Sequence, residues 1–319
     1  MSKITREEIQ IISRFSNWKP KGIENELINN DIYADKNSWQ KFIKLFLIGL
    51  GAAFSLAGII FFFAYNWHSL NKFVKLGIVE TLVTAAVVIL LMAKNIDNNL
   101  RKILLTVASV LTGTIFMVYG QVYQTGADAY DLFLIWTLCI TIWVVISDYE
   151  PLWLIYLILI NTTIILYSQQ VAQDFNNYDL FNLLFVTNTL TIVVLQYLSD
   201  SKKISKISDW FVVVVSLSSI SYLTTSIIIG IFDEFEIGLI TSIVLATISY
   251  CCAIYYAYSV KKIFYIATIP VSIIFILTSL IINSTDNELI FFLFSGLFVA
   301  TSFTGLVKLI IHFKKLGYE

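Results

Sequence analysis

The stretch IKLFLIGLGAAFSLAGIIFFFAY (43–65) decides the fold class of this chain. Its only charged residue is Lys44, and about 20 mostly apolar residues are enough for a helix to cross a bilayer. The apolar residues follow one another without period-two alternation, which favours a helix over a strand of a β-barrel. The stretch therefore predicts a transmembrane helix.

Further apolar stretches of similar length follow, and together they predict an all-α polytopic bundle of about ten spans. The stretches at 132–147 and 151–168 are short and lie close together, so they either cross fully or form a tight helical hairpin. The further predicted spans are 73–93, 103–123, 132–147, 151–168, 180–198, 210–230, 238–258, 263–283 and 289–312.

The composition supports this class of protein. Of 319 residues, 58% are apolar and 13% charged, and the mean hydropathy is +0.80. An average soluble domain has about 25% charged residues. This excludes a soluble globular enzyme, a disordered chain, a coiled coil and a nucleic-acid-binding domain. Because the net charge is −1, we expect no nucleic-acid partner, and the lipid bilayer is the expected partner.

The positions of the basic residues predict the orientation in the membrane. Lys and Arg concentrate in cytoplasmic loops. With a cytoplasmic N-terminus and ten spans, 19 of the 21 basic residues fall on the cytoplasmic side, and only Lys72 and Lys75 fall outside. Both termini are therefore predicted to be cytoplasmic. No apolar run directly follows the N-terminus, so we expect the first span to be an uncleaved anchor.

The domain organisation predicted from these patterns has three parts. Residues 1–41 form a cytoplasmic amphipathic helical segment, residues 42–147 a four-helix membrane unit, and residues 148–319 six further transmembrane helices. Within the first part, Thr5 and Glu8 fit a capping box, Pro20 suits the first turn of a second helix, and Asp35 is a candidate cap for a third. This segment either binds a partner or packs on the membrane face, and the packing role is favoured.

Conventional catalytic sets are missing from the sequence. His68 and His312 are predicted on opposite sides of the membrane, so they cannot share a metal ion. Cys139, Cys251 and Cys252 lie in apolar runs and are predicted to be small core residues. No metal site and no cofactor are expected, and the sequence favours a protein that is not an enzyme.

A polar cluster on the predicted outer side of the first four spans is the best candidate site. Glu80 lies well inside the second span, where an ionisable residue is a functional candidate by default and otherwise bonds a neighbouring helix. An interfacial aromatic belt is the alternative explanation for the Trp and Tyr residues. The candidate ligand-binding residues are Asn66, Trp67, His68, Lys72, Lys75, Glu80, Tyr119, Gln121, Tyr123, Asp128, Asp131 and Trp136.

The later spans carry amide and hydroxyl side chains in place of charges. They are Asn161, Thr162, Thr163, Asn188, Thr189, Ser216, Ser218, Ser219, Ser221, Thr224 and Thr225. Such groups line permeation paths in some proteins, but interhelical hydrogen bonding is the more common role and is predicted here.

Two motifs in the first half of the chain resemble a known family. The segments AYNWHSLNKFVKLG (64–77) and GQVYQTGADAYDLFLIW (120–136) are similar to domain of unknown function 2157, a bacterial family of predicted membrane proteins. The resemblance extends over roughly residues 8–150. It implies a bacterial inner-membrane location and no established activity, and it supplies no catalytic residue or cofactor.

Three functional hypotheses remain at the level of sequence. The favoured one is a binding, sensing or accessory membrane protein whose outward-facing polar pocket takes a small molecule or a lipid. The alternative is a secondary transporter of a small solute that uses Glu80 as its protonatable coupling residue. A lipid-processing enzyme is third, since no nucleophile or metal ligand accompanies Glu80.

Overall fold

The structure is a computed structural model of the chain, and its described residues are mostly helical. It describes residues 6–29, 32–66, 70–92, 97–123, 126, 128–172, 175–233, 237–284 and 288–317. Twelve helices are formed by these residues, and none of the described residues lies in a strand. In chain order the helices are α1 (Arg6–Arg14), α2 (Pro20–Asn29), α3 (Lys36–Asn66), α4 (Lys72–Met92), α5 (Asn98–Tyr123), α6 (Ala129–Ser147), α7 (Glu150–Gln170), α8 (Asn177–Asp200), α9 (Asp209–Phe232), α10 (Ile237–Val260), α11 (Ile263–Asn283) and α12 (Glu288–Lys315).

Ten of the twelve helices, α3 to α12, are long and apolar enough to cross a membrane. The all-α polytopic fold with ten spans is therefore confirmed. Each predicted span corresponds to one of these helices, and most of the helices are longer than the predicted span, whereas α11 has the predicted bounds.

The start of α3 follows the predicted capping pattern. The Ser38 backbone N–H donates to Asp35 Oδ1 at 2.7 Å, which satisfies one of the free N–H groups of the first turn. Hydrogen bonds from Ser38 hold the pKa of the Asp35 carboxyl below its usual value. Pro20 is the first residue of α2, as predicted, whereas Thr5 lies outside the described residues.

Helices α6 and α7 are two full-length helices joined by a turn. At about 1.5 Å per residue, their 19 and 21 residues extend about 28 and 31 Å, close to the thickness of a bilayer core. Asp148 ends α6 in the left-handed conformation at φ 43°, which Asp tolerates better than most residues. Each helix is thus long enough to cross.

The chain divides into two compact units, Met1–Val118 and Tyr119–Glu319, called the first and second units below. In the first unit, α1 packs on α2, and Ile9 and Leu27 are buried. Ile12 of α1 and Phe15, which follows the helix, are exposed. The cytoplasmic position of this segment stays a prediction.

In the second unit, α9 is the central helix, because it packs against α7, α8, α10 and α11. The apolar core combines Leu223 and Ile227 of α9 with Phe185 of α8, Tyr250 of α10 and Ile269 of α11. Outside this centre, α6 packs on α7, and α11 packs on α12.

The helix ends of the second unit form two groups, one at each end of the unit. At one end, Asp148 accepts hydrogen bonds from Ser205, Glu150 accepts them from Ser208, and Lys262 pairs with Asp209. The ring of Tyr258 contacts the ring of Phe313, so the C-terminal ends of α10 and α12 also lie at this end. This end, called the basic end below, holds all eight basic residues of the second unit: Lys202, Lys203, Lys206, Lys261, Lys262, Lys308, Lys314 and Lys315.

At the opposite end of the second unit, hydrogen bonds connect the other ends of the helices. Gln170 accepts from the Tyr130 N–H at 3.0 Å, Tyr178 Oη donates to Asp233 at 3.0 Å, and Asn283 Nδ2 donates to the Ile231 carbonyl at 2.7 Å. Successive helices from α6 to α11 therefore run in alternating directions, as consecutive spans must.

The prediction that the three cysteines are core residues was wrong. Cys139, Cys251 and Cys252 are all exposed on the surface of the second unit. In a bundle surrounded by lipid, an apolar position is compatible with either the interior or the lipid-facing surface, so hydropathy does not separate the two.

Candidate functional site

The charged residues of the predicted site lie in the first half of α4. Asn71 precedes this helix, and its Oδ1 accepts from the Phe73 N–H at 3.1 Å. Lys72 is the first residue of α4, and its Nζ lies 5.2 Å from the centre of the Phe73 ring, a cation–π geometry. Glu80 follows eight residues later, about 12 Å along the axis at 1.5 Å per residue. Lys72 and Glu80 are exposed on the first unit, and Lys75 is half-buried.

A second group of predicted site residues surrounds the turn between α5 and α6. Tyr119 and Tyr123 lie one helical turn apart at the end of α5, with ring centres 4.7 Å apart, and Gln121 lies between them. All three are exposed. Their clustering at the helix end agrees with either an interfacial aromatic belt or the rim of a site.

The start of α6 contributes the remaining members. Asp128 occupies the N-cap position without a side-chain capping bond, and its carboxylate is exposed. Asp131 lies in the first turn of α6, where a negative charge interacts favourably with the helix dipole. Trp136 stacks on Phe133 with ring centres 6.0 Å apart.

These two groups belong to different units, so each is described by itself. Asn66 is the last residue of α3, and Trp67 and His68 lie outside the described residues. The convergence of the cluster on one outward-facing pocket stays a prediction.

Some of the amide and hydroxyl groups of the later spans form cross-helix hydrogen bonds, as predicted, whereas Thr162, Thr163 and Ser218 donate to carbonyls of their own helices. Asn161 of α7 and Asn188 of α8 exchange two bonds, Nδ2 to Oδ1, at 3.2 and 3.0 Å. Thr189 contacts Ser219 at 2.5 Å, linking α8 to α9. Two further contacts link α9 to α11: Ser216 to Tyr265 at 2.8 Å and Thr224 to Ser272 at 2.6 Å.

A buried polar cluster connects α8, α9 and α10 near the non-basic end. Asn182 Oδ1 accepts from Ser226 at 3.3 Å and from Ser242 at 3.0 Å, while its Nδ2 donates to Thr241 at 3.3 Å. Both serines are fully buried. Among the described residues, no buried side-chain nitrogen or oxygen lacks a hydrogen-bond partner, so these groups serve to hold the helices together.

One cavity in the second unit was not predicted from the sequence. It has a volume of about 470 Å³, and it is lined by residues of α8, α9, α10 and α11. That volume is within the range of about 300–1,000 Å³ typical of small-molecule sites. Its lining residues are spread from position 185 to 269, and no motif in the sequence marks them as neighbours.

In the described part of the chain, no three His, Cys, Asp or Glu side chains are grouped in a way that would hold a metal ion.

Comparison with known proteins finds a family match for the first half of the membrane region. Residues 29–153 match the model of a family described as "Predicted membrane protein (DUF2157)", which confirms the resemblance to that family. The match covers α3 to α6 and the start of α7, and so includes all the candidate site residues. No curated protein and no solved structure matches the chain. The chain is thus a multi-pass membrane protein, and its residues 29–153 are similar to this family.

Proposed function

We propose that this protein is not an enzyme but a binding, sensing or accessory protein of the bacterial inner membrane. Its ligand, a small molecule or a lipid, would bind an outward-facing polar pocket on the first four spans. The observation that carries the proposal is the position of Glu80, an acid about 12 Å inside a candidate span. A charge at that depth costs at least a few kcal/mol unless water, a partner or a ligand compensates for it.

The other residues of the predicted cluster support a polar ligand. Lys72 and Lys75 supply positive charge in the first turn of α4, and Asp128 and Asp131 supply negative charge at the start of α6. Together with the amide of Gln121, they offer both donors and acceptors. All of them lie in the segment that matches the family model.

The proposed orientation places both termini in the cytoplasm. It is supported by the eight lysines of the second unit, which lie at one end of that unit. A cytoplasmic basic end agrees with the positive-inside rule.

The alternative is a secondary transporter in which Glu80 carries the coupling proton. Intramembrane acids serve as proton relays in transporters, and the depth of Glu80 in α4 favours this role over a purely interfacial one.

Solvent accessibility at position 80 tests both functions. In a background with Cys139, Cys251 and Cys252 replaced by Ser, the variant Glu80→Cys is treated in sealed vesicles with a charged, membrane-impermeant maleimide added on one side or the other. Labelling from the outside alone is expected for a binding pocket. Labelling from both sides supports the transporter. A cysteine labelled from neither side would contradict the water-filled pocket that both functions require.

Two control positions on the same helix calibrate the labelling. Phe73→Cys replaces an exposed residue in the first turn of α4 and should react from outside, whereas Val79→Cys replaces a fully buried neighbour of Glu80 and should not react. Glu80→Gln, which keeps the size of the side chain, is the matched variant for any ligand found. It should weaken binding and leave the fold intact.

A further inference from the structure

The cavity of the second unit lies between α8 and α10, two helices that contact each other near their N-termini. Near their N-termini, α8 and α10 are joined by the bonds of Asn182 to Thr241 and Ser242. Gly238 allows the closest approach, because a Cβ at this position would lie 2.9 Å from Cδ2 of Tyr178. The two helices run in the same direction, and the space between them lies beyond this contact, toward their C-termini.

The cavity opens sideways between α8 and α10. Val193 and Tyr197 of α8, together with Cys252 and Tyr256 of α10, line it and are exposed. Ile269 of α11 lines it from the opposite side and is fully buried. An opening between two membrane-spanning helices faces the hydrocarbon of the bilayer, so lipid chains have direct access to it.

Several polar groups in the wall are already bonded to neighbouring side chains. Ser216 contacts Tyr265, Thr189 contacts Ser219, and Tyr250 contacts Ser272 at 2.6 Å. The hydrogen-bonding capacity of these groups is largely used. Gln196 and Asp200 line the cavity toward the C-terminus of α8, and most of the other lining residues are aliphatic or aromatic. Such a wall suits a hydrocarbon chain better than a sugar or an amino acid, which would need free donors and acceptors.

The depth of the cavity corresponds to one leaflet of the bilayer. Its lining on α8 runs from Phe185 to Asp200, about 22 Å at 1.5 Å per residue. Half of the hydrocarbon core measures about 15 Å. An acyl chain entering at the level of Asp200 therefore fits within the cavity along its length.

One end of the cavity lies at the basic end. Asp200, the last lining residue on α8, is followed directly by the turn 201–208, which carries Lys202, Lys203 and Lys206. Asp148 and Glu150 hold this turn through bonds from Ser205 and Ser208. A basic pocket between transmembrane helices is a recurring binding site for anionic lipid headgroups.

We propose that the cleft between α8 and α10 binds one acyl chain of an anionic phospholipid, whose phosphate lies at Lys202 and Lys203. This site is separate from the outer polar cluster, and neither proposal depends on the other.

Two adjacent cysteines give a matched test of the cleft. Cys252 lines it and Cys251 does not, although both are exposed. The variants Cys252→Trp and Cys251→Trp are purified in mild detergent, and bound phosphatidylglycerol is counted by native mass spectrometry. Cys252→Trp should lower the apparent affinity by about tenfold or more, a change of at least about 1.4 kcal/mol, whereas Cys251→Trp should bind like the parent. Equal binding by both variants would overturn the proposal.

A second pair repeats the test from the other wall, in case Cys252→Trp does not fold. Val193 lines the cleft, whereas its neighbour Val194 is exposed and does not. Val193→Trp should lose phosphatidylglycerol and Val194→Trp should keep it. If both tryptophans block binding equally, the lipid does not occupy this cleft.

The headgroup contact is tested with paired lysines. Parent protein should prefer phosphatidylglycerol to phosphatidylcholine, and Lys202→Gln combined with Lys203→Gln should remove that preference while keeping phosphatidylcholine binding. Lys314→Gln combined with Lys315→Gln changes the same charge at the end of α12 and should keep the preference. Equal binding of the two lipids by the parent, or equal loss in both double variants, would overturn the assignment of the phosphate.

Discussion

Helix α4 and the helices around α9 use polar side chains in different ways. α4 carries Lys75 and Glu80, ionisable groups, inside an otherwise apolar span. The spans α7 to α11 carry amides and hydroxyls instead, and their carboxylates lie within the first or last few residues of the helices. The neutral groups bond one another across helices, as Asn161 and Asn188 do.

This difference follows from what each group needs in a low-dielectric medium. An amide has as many donors as acceptors, so two amides facing each other satisfy much of their hydrogen-bonding capacity without water. An isolated carboxylate or ammonium is not satisfied by a neutral partner in this way. It needs water, a counter-charge or a proton transfer. Neutral polar residues inside a span therefore indicate helix packing, and an ionisable residue such as Glu80 is the better candidate for a functional site.

The largest expected effect concerns the side of the membrane on which each end lies. Reporter fusions after residues 97, 204 and 319 should give a cytoplasmic signal, and fusions after residues 127, 176 and 285 an external one. The reason is that the ten candidate spans alternate and the basic end should be cytoplasmic. Alkaline phosphatase and green fluorescent protein fusions in a bacterial host report the two sides in opposite senses.

The fusion at residue 176 is the sharpest of these, because it follows the α6–α7 pair. A cytoplasmic signal there would mean that only one of the two helices crosses, because a pair that both cross, or that both fail to cross, leaves residue 176 outside. The two ends of the second unit would then exchange their predicted sides of the membrane, and Lys202 and Lys203 would lie outside.

A smaller effect is expected when the buried amide pair is broken. Asn188→Leu removes both bonds to Asn161 and leaves that buried amide without its partner. An unpaired buried polar group costs about 1–3 kcal/mol, although partners in the unfolded state in a membrane reduce such values to about 0.6–2 kcal/mol. We expect a loss of about 1–2 kcal/mol in the free energy of unfolding, measured by SDS titration in mixed micelles.

Two controls separate the lost pair from lost packing. Asn161→Leu combined with Asn188→Leu removes both partners and should recover part of the loss, so that the double-mutant cycle shows coupling. Thr187→Val removes an exposed hydroxyl that bonds only its own helix, at Leu183, and should change stability by less than about 0.5 kcal/mol. If Asn188→Leu has the same free energy of unfolding as the parent protein, neutral groups do not hold α7 and α8 together.

Much of the fold could be predicted from the sequence because hydropathy determines where helices cross. The ten spans, the helix start at Asp35 and the role of Asn161 and Asn188 all follow from local pattern or from the chemistry of one residue type. The failure at Cys252 has the opposite cause, since an apolar residue in a span is compatible with a lipid-facing or an interior position.

The candidate sites differ in how far the sequence reveals them. The outer cluster was found because Glu80 and the motifs around Trp67 and Gln121 are conspicuous along the chain. The cleft was missed because its walls come from four helices and its residues, such as Val193 and Ile220, are ordinary in a span. The cavity depends on how four helices pack, including the contact of α8 with α10 at Gly238 and Asn182.

The smallest expected effect is at the ion pair of the basic end, which is the charged counterpart of the amide pair. Lys262 donates to Asp209, and this contact raises the pKa of the Lys262 ammonium. A pKa above the unfolded value of about 10.4 means that the pair stabilises the fold fully below that pH and is lost as pH rises through the folded pKa. Both side chains are at least one-third exposed, so the pair should contribute only about 0.2–1 kcal/mol, less at high salt.

Lys262 also lies at the N-cap of α11, where a positive charge is unfavourable, whereas Asp209 begins α9, where a negative charge is favourable. Asp209→Asn should therefore destabilise more than Lys262→Gln, and neither by more than about 1 kcal/mol. Unfolding titrations at neutral pH in low and high salt would measure both. If Lys262→Gln lowers the free energy of unfolding as much as Asn188→Leu does, the contrast between the charged ends and the neutral, hydrogen-bonded interior is wrong.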